Sequence, residues 1–273
     1  MRVLTSVAEL RSDPPDVLLD VRWALGDPHG REHHRAGHLP GAVFVDLDAE
    51  LSTPPSPAQG RHPLPSLQRL QAAARRWGVS AGSRVVAYDA GAGVAAARAW
   101  WLLRWAGVEQ VTVLDGGLAA WTAAGGELEQ GDVVPLVGDV ELTGGGMPVL
   151  DIDQAAALPA AGGVLLDARA AERYRGEVEP VDPRAGHVPG AVSAPTTDNL
   201  DADGTFAAAA ALSDRFARLG VRPGTPVGVY CGSGVFAAHE VAALAIAGID
   251  AALWPGSWSQ WSNDPDRPVA TGA

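Results

Sequence analysis

Short apolar runs alternate with longer Ala-rich or amphipathic stretches along the whole chain. The longer stretches, such as LQRLQAAARRWG and AARAWWLLRWAG, have the composition of helices. Short continuous apolar strands that alternate with helices are typical of a parallel sheet covered on both faces. We therefore predict an α/β fold, with strands at Val17–Val21, Val85–Tyr88, Val111–Leu114, Val164–Asp167 and Val227–Tyr230.

This pattern occurs twice, because four sequence blocks recur in the same order. LLDVR recurs as LLDAR, RAGHLPGAV as RAGHVPGAV, VVAYDAGAG as VGVYCGSG, and DGGLAAW as PGSWSQW. The sequence between the copies, ELTGGGMPVL, contains three consecutive glycines and a proline, which hold neither a helix nor a central strand. We predict two copies of one domain, at 1–125 and 149–273, joined by a linker at 126–148.

Charge and composition narrow the possible partners. With 20 basic and 32 acidic side chains the net charge is −12, which argues against nucleic acid and against an anionic membrane surface. No apolar stretch reaches the length of a membrane span, and no signal peptide is evident, so we expect a cytoplasmic protein. The single cysteine excludes an internal disulfide and a cysteine-based metal cluster, and we expect no cofactor and no metal.

The third repeated block places different chemistry at the same point. In each copy a strand is followed by a Gly-rich turn and a helix, with Asp89 opening the first turn and Cys231 the second. Backbone N–H groups in such a turn, together with the helix N-terminus, favour an anion. This setting predicts that Cys231 is a nucleophilic thiolate rather than an inert buried thiol. Asp89 would lie at the mouth of its turn and repel an anion, so we predict that the first copy is inactive.

A phosphatase is one alternative for a cysteine in an anion-binding turn. Phosphatases of the Cys-x5-Arg type need an arginine six residues after the cysteine to bind phosphate. That position holds Ala237, and no arginine or lysine occurs before the helix ends. The sequence therefore gives this alternative little support.

The chain resembles, over nearly its whole length, the tandem-domain rhodanese-type sulfurtransferases (the 3-mercaptopyruvate and thiosulfate sulfurtransferase family). The resemblance rests on the Asp-x-Arg strand ends, on two Gly-His-x-Pro-Gly-Ala segments and on the loop Cys231–Val235. It implies two parallel-sheet domains, of which only the second is catalytic. It also implies that the loop Cys231–Phe236 cradles a persulfide, formed from a small-molecule donor and removed by a thiol, a thioredoxin-like protein or cyanide.

The loop sequence Cys-Gly-Ser-Gly-Val resembles the mercaptopyruvate-preferring branch, whereas thiosulfate-preferring members resemble Cys-Arg-Lys-Gly-Val. The first hypothesis is therefore a 3-mercaptopyruvate sulfurtransferase, with Gly232, Gly234 and Val235 contacting the substrate. A thiosulfate sulfurtransferase is the nearest alternative. A persulfide carrier or redox-sensing module is a third.

The same resemblance implies further site residues. It assigns catalytic roles to Ser233, His62 and Asp48, and it assigns the substrate carboxylate to Arg173. A second substrate arginine is expected where this chain has Val181 and Asp182, and nearby Arg184 is the candidate substitute. Arg184 has a counterpart, Arg35, in the copy without a cysteine, which favours a structural role for it. For the same reason we predict structural roles for the histidines of the repeated Gly-His motif, His38 and His187.

Overall fold

Nine strands form two separate parallel sheets, one in each copy of the repeat. The computed structural model describes residues 1–273. The first sheet has the order β1-β5-β4-β2-β3 and the second the order β7-β6-β8-β9, with all pairings parallel. The strands are β1 (Leu4–Thr5), β2 (Val17–Asp20), β3 (Val43–Phe44), β4 (Val85–Tyr88), β5 (Val111–Leu114), β6 (Val164–Asp167), β7 (Val192–Ser193), β8 (Val227–Tyr230) and β9 (Ala252–Leu253).

Helices connect the strands, as parallel pairing requires. Those of the first half are α1 (Val7–Ser12), α2 (Gly30–Ala36), α3 (Leu47–Glu50), α4 (Leu67–Arg76), α5 (Val94–Trp105) and α6 (Gly117–Ala123). Those of the second half are α7 (Ile152–Ala157), α8 (Ala171–Arg175), a 3-10 helix (Thr196–Asn199), α9 (Ala209–Arg218), α10 (Val235–Ile246) and α11 (Ser257–Trp261). Residues 126–148 contain no helix and no strand. No helix has the length and apolarity needed to cross a membrane.

The central strands have equivalent registers in the two sheets. Asp20 pairs with Tyr88 at the end of β2 and β4, and Asp167 pairs with Tyr230 at the end of β6 and β8. The turn that follows β4 and the turn that follows β8 therefore open at the carboxyl edges of their sheets, where parallel sheets bind ligands. The predicted α/β fold with two parallel sheets is confirmed. The two-residue strands β1, β3, β7 and β9 were not predicted, because such short segments leave no periodic pattern.

The helices that follow these two turns, α5 and α10, pack against each other and join the halves. Most residues of both helices are buried, and their alanines let the two backbones approach closely. Side chains of both helices belong to one continuous hydrophobic core that includes residues of both sheets. The turns that contain Asp89 and Cys231 therefore lie at the junction between the two halves.

Candidate active site

The loop Cys231–Gly234 directs backbone N–H groups at the cysteine sulfur. β8 ends at Tyr230 and α10 begins at Val235, so the turn is four residues long. Sγ of Cys231 accepts from the N–H groups of Ser233 at 3.4 Å and Gly234 at 3.1 Å. Gly234 has φ +82°, and a Cβ there would lie 2.6 Å from the Pro255 carbonyl oxygen, so glycine is required. The loop thus has the donors that a sulfur anion needs.

The outer side of the loop is held by the segment that ends in α11. The N–H of Cys231 donates to Oγ of Ser257 at 3.2 Å. The N–H groups of Trp258 and Ser259 donate to the carbonyl oxygens of Cys231 and Gly232, each at 2.9 Å. Three bonds therefore fix the loop backbone before any ligand arrives. The repeated block that ends in PGSWSQW supplies all three partners.

A chain of three side chains runs from the first half to this loop. Nδ1 of His62 lies 2.7 Å from Oγ of Ser233, and Nε2 of His62 lies 3.1 Å from Oδ1 of Asp48. An ionised carboxylate only accepts hydrogen bonds, so Nε2 of His62 carries the ring proton and Nδ1 accepts the hydroxyl proton of Ser233. The structure thus brings together the three residues for which the sequence predicted catalytic roles.

The three hydrogen-bonded side chains are buried at the Ser233 end and exposed at the Asp48 end. Ser233 and His62 are buried, whereas 65% of the Asp48 side chain is exposed. The hydrogen bond from His62 holds the pKa of the Asp48 carboxyl below its ordinary value, against the opposing effect of partial burial. The Trp23 ring stands edge-on to the imidazole, with ring centroids 5.7 Å apart. His62 is therefore fixed in one orientation, with an ionised partner that faces solvent.

Two arginines lie over the loop at Gly232. A Cβ on Gly232 would lie 2.9 Å from Nη2 of Arg61 and 3.5 Å from Nη1 of Arg173. Neither of these two amino groups has a hydrogen-bond partner in the protein. Arg173 was predicted from the sequence, but Arg61 was not, although it directly precedes His62. Two unused donor groups from opposite halves of the chain therefore converge beside Cys231.

Carboxylates hold both arginines from the other side. Arg173 donates to Glu179 at 2.6 Å and to Asp182 at 3.2 Å, and Arg61 also donates to Asp182. Both acids are buried. Burial raises the pKa of Asp182, while the charges of Arg61 and Arg173 act in the opposite direction. The two cations are thus neutralised by two carboxylates, and the pair has no net charge before a donor binds.

One predicted substrate contact lies elsewhere, and a second is limited to its backbone. Arg184 directs every guanidinium nitrogen to backbone carbonyl oxygens of the C-terminal segment, at Trp261, Ser262, Asp264 and Arg267. It therefore fastens that segment and does not replace the second substrate arginine, which corrects the prediction. Val235 starts α10, and its side chain is fully buried in the core, so it offers no side-chain contact to a substrate.

The equivalent turn of the first half is filled by its own carboxylate. Asp89 is 2% exposed and accepts from the N–H groups of Gly91, Gly93, Ala95 and Ala96, at 2.9 to 3.1 Å. The sequence predicted a carboxylate at the mouth of this turn, which was wrong. The turn is one residue longer than the cysteine loop, and this extra length lets the side chain fold back inside. Burial raises the pKa of the Asp89 carboxyl, and the four N–H bonds act in the opposite direction. The turn is therefore filled by its own carboxyl group, which excludes an external anion by occupancy.

Both halves match one family model, that of the Rhodanese-like domain, over residues 3–124 and 151–264. The chain belongs to the rhodanese family. A rhodanese-fold crystal structure, the 3-mercaptopyruvate sulfurtransferase SseA from Escherichia coli, superposes with a TM-score of 0.82 at 34% identity, covering 94% of this chain and 99% of that one. The sequence-based recognition of a tandem rhodanese-type sulfurtransferase is confirmed.

Relatives within this rhodanese family carry names that differ in the sulfur donor. A Mycobacterium tuberculosis protein named as the thiosulfate sulfurtransferase SseB is 50% identical, over 99% of this chain and 98% of its own length. A Pseudomonas aeruginosa protein named as a 3-mercaptopyruvate sulfurtransferase is 49% identical, over 96% of this chain and 94% of its own length. Because the two relatives are almost equally similar to this chain, their names do not indicate which sulfur donor it uses. The chemistry of the site therefore has to distinguish the two donors.

Proposed function

We propose that this protein transfers sulfane sulfur from 3-mercaptopyruvate to Cys231, and that a thiol or cyanide then removes it. The observation that carries the proposal is the hydrogen-bonded chain Asp48–His62–Ser233, which ends inside the cysteine loop. A proton relay at this point is of use to a donor that carries a proton on its sulfur. Mercaptopyruvate is such a donor, and thiosulfate is not.

The reaction balances with the groups present. The Cys231 thiolate attacks the sulfur of mercaptopyruvate, the carbon–sulfur bond breaks, and its electron pair passes to the carbon as the enolate of pyruvate. The proton of the donor thiol passes to Ser233 and His62, which return it to that carbon. The products are pyruvate and the Cys231 persulfide anion, which the N–H groups of Ser233 and Gly234 stabilise.

The arginine pair suits the carboxylate of the donor. The free amino groups of Arg61 and Arg173 face the space above Gly232, next to the attacking sulfur. A carboxylate bridging them would accept one charge-assisted hydrogen bond from each half of the chain. Glu179 and Asp182 already neutralise the pair, so the site is matched to a monoanion such as mercaptopyruvate.

Thiosulfate is the second candidate donor, and the name carried by the 50% identical SseB favours it. Thiosulfate is a dianion, and its sulfur transfer moves no proton. It would use the cysteine loop and the arginine pair but gain nothing from His62. We therefore propose thiosulfate as a weaker, relay-independent donor.

The acceptor would enter through a cleft of about 750 Å³ beside the relay, lined by first-half residues that include Trp23, Leu25, Asp48 and His62, and by Val181 of the second half. Small thiols and cyanide can enter a cleft of this size. The exposed apolar side chains Leu25 and Val181 at its rim suit a thioredoxin-like protein acceptor. A reducing compartment such as the cytoplasm would keep the single thiol of Cys231 available.

The test compares kcat/KM for mercaptopyruvate and thiosulfate, with cyanide as acceptor, in three proteins. Cys231→Ser should abolish turnover of both donors. Ser233→Ala should lower kcat/KM for mercaptopyruvate by about a hundredfold, within the usual range for general acid–base groups, and leave thiosulfate within about twofold. Equal loss on both donors would remove the relay from the mechanism. Residual turnover in Cys231→Ser, or none in the unmodified protein, would reject sulfur transfer through Cys231.

A further inference from the structure

Arg98 is a buried cation of α5 that touches both parts of the active site. Its side chain is completely buried. Nη1 donates to the carbonyl oxygen of Gly234 at 3.3 Å, and Nη2 donates to those of His62 at 3.0 Å and Leu51 at 3.3 Å. One side chain of the first half therefore links the cysteine loop to the backbone of the relay histidine.

The charge of Arg98 has no carboxylate partner. All of its hydrogen bonds go to carbonyl oxygens, and Nε has none. Buried arginines are normally paired, as Arg22 is with Asp20 and Arg169 with Asp167 at the strand ends. Burial lowers the pKa of Arg98 to about 10, and the one ionisable group that acts against this effect is Cys231. Arg98 therefore remains a cation at neutral pH in surroundings that oppose its charge.

The other charged groups around the loop are already neutralised. Arg61 and Arg173 above Gly232 are paired with Glu179 and Asp182. His62 accepts from Ser233 and donates to Asp48, so it adds no cation to the loop, and Asp48 faces solvent. On α10 itself, His239 bonds Thr196, and Glu240 bonds Asn199 and Arg215, away from the cysteine loop. Arg98 is the one cation beside the loop whose charge no carboxylate balances.

We propose that Arg98 is the permanent counter-charge of Cys231, which it serves first as a thiolate and then as a persulfide anion. Gly234 connects the two groups, since its N–H faces Sγ and its carbonyl oxygen faces Arg98. Long-range attraction is strong in a buried site, because little water screens it. Arg98 acts on the sulfur through the loop and the field, not by touching the donor. The proposal rests on the sulfur chemistry of Cys231 proposed above.

The test measures the charge state of Cys231 directly and needs no sulfur donor. Cys231 is the only cysteine, so the rate of alkylation by iodoacetamide as a function of pH reports on this thiol alone. Arg98→Gln removes the charge but keeps a donor for the carbonyl oxygens, and Arg98→Met removes both the charge and the donors. Arg98→Lys keeps the charge. Arg104→Gln, on the same helix but directed to the Glu109 carbonyl oxygen, is the matched control.

The expected result is a rise of about one pH unit or more in the midpoint of alkylation for Arg98→Gln and Arg98→Met, with Arg98→Lys and Arg104→Gln close to the unmodified protein. kcat/KM at neutral pH should fall about tenfold for both donors alike in the two uncharged variants, because each donor needs the same anion. An unchanged midpoint in the uncharged variants overturns the proposal. A midpoint in Arg98→Lys that rises as far as in Arg98→Gln also overturns the proposal, because Arg98 would then act only through its hydrogen bonds to three carbonyl oxygens. Loss of turnover with an unchanged midpoint would overturn the counter-charge and leave the proposed donor chemistry standing, whereas a shifted midpoint together with no turnover of either donor by the unmodified protein would reject that chemistry and leave the counter-charge standing.

Discussion

Replacing Asp182 by Asn should shift donor preference from mercaptopyruvate toward thiosulfate. The carboxylate of Asp182 bonds Arg61 and also bonds Arg173, at 3.2 Å. A carboxamide has the same shape and can still accept hydrogen bonds, but it carries no charge. The variant therefore adds one positive charge to the arginine pair, and because the carboxamide has one acceptor oxygen where the carboxylate has two, one of the two arginines loses its bond to residue 182.

The expected size follows from Coulomb's law. A donor over Gly232 sits on the opposite side of the guanidinium groups from Asp182. With a separation of roughly 6 Å and an effective dielectric constant of about 40, each unit of donor charge gains about 1.4 kcal/mol, which is about tenfold in kcat/KM. Thiosulfate carries one negative charge more than mercaptopyruvate. The ratio of kcat/KM for thiosulfate to that for mercaptopyruvate should therefore rise about tenfold at low ionic strength and less in high salt.

Steady-state assays with each donor, repeated at low and high salt, measure this ratio. Glu177→Gln is the matched control, since Glu177 lies five residues before Asp182, is exposed and pairs with Arg175 instead. Its ratio should stay at the value of the unmodified protein. Equal changes for both donors in Asp182→Asn, or a ratio change that salt does not reduce, would refute the charge argument.

Three further changes test other parts of the structure. Asp48→Asn should lower kcat/KM for mercaptopyruvate by about ten- to a hundredfold but spare thiosulfate, because His62 loses the ionised acceptor that fixes its ring proton. Parallel assays with the two donors measure this difference, and equal losses on both donors would contradict it. Asp89→Ala should lower the free energy of unfolding by about 2–4 kcal/mol, since four buried N–H groups lose their acceptor. In urea titrations, added sulfate should restore part of the lost stability. An unchanged free energy of unfolding would be evidence against a stabilising role for the Asp89 carboxyl inside the turn. Burial lowers the pKa of His239 from 6.5 to about 4, so the unfolded chain takes up a proton that the fold resists. Stability is therefore full above the higher value and falls as the pH drops between the two, by about 2 kcal/mol from about pH 7 to about pH 5 in urea titrations, and His239→Gln should remove most of this dependence.

Features that depend on local sequence were predictable. The repeat, the central strands and the turn that opens with Cys231 all follow from apolar runs and glycines that stand next to one another in the chain. The chain Asp48–His62–Ser233 was predicted only through the family resemblance, because His62 and Ser233 are 171 positions apart and leave no local pattern. Arg61 carried only a weak signal in the sequence, namely a basic residue beside a predicted site histidine.

Arg98 and Asp89 show what local pattern cannot supply. A lone arginine within the apolar stretch AARAWWLL signals a buried cation, but its direction depends on how α5 meets α10. For Asp89 the residue type was visible, whereas its position inside the nest depends on one extra residue in the turn. In both cases the missing information is three-dimensional: which backbone groups lie within reach of the side chain.

The two halves have diverged from one unit into complementary parts of a single site. The first half has no room for an external anion in its turn, because Asp89 fills it, yet it contributes Asp48, Arg61, His62 and Arg98 around Cys231. The second half contributes the sulfur, the N–H groups that face it and Arg173. A single unit with an empty nest could bind an anion, but it would lack the relay and the buried counter-charge, because both come from the other copy. The packing of α5 against α10 therefore positions the proposed relay and counter-charge around Cys231 as well as forming part of the core.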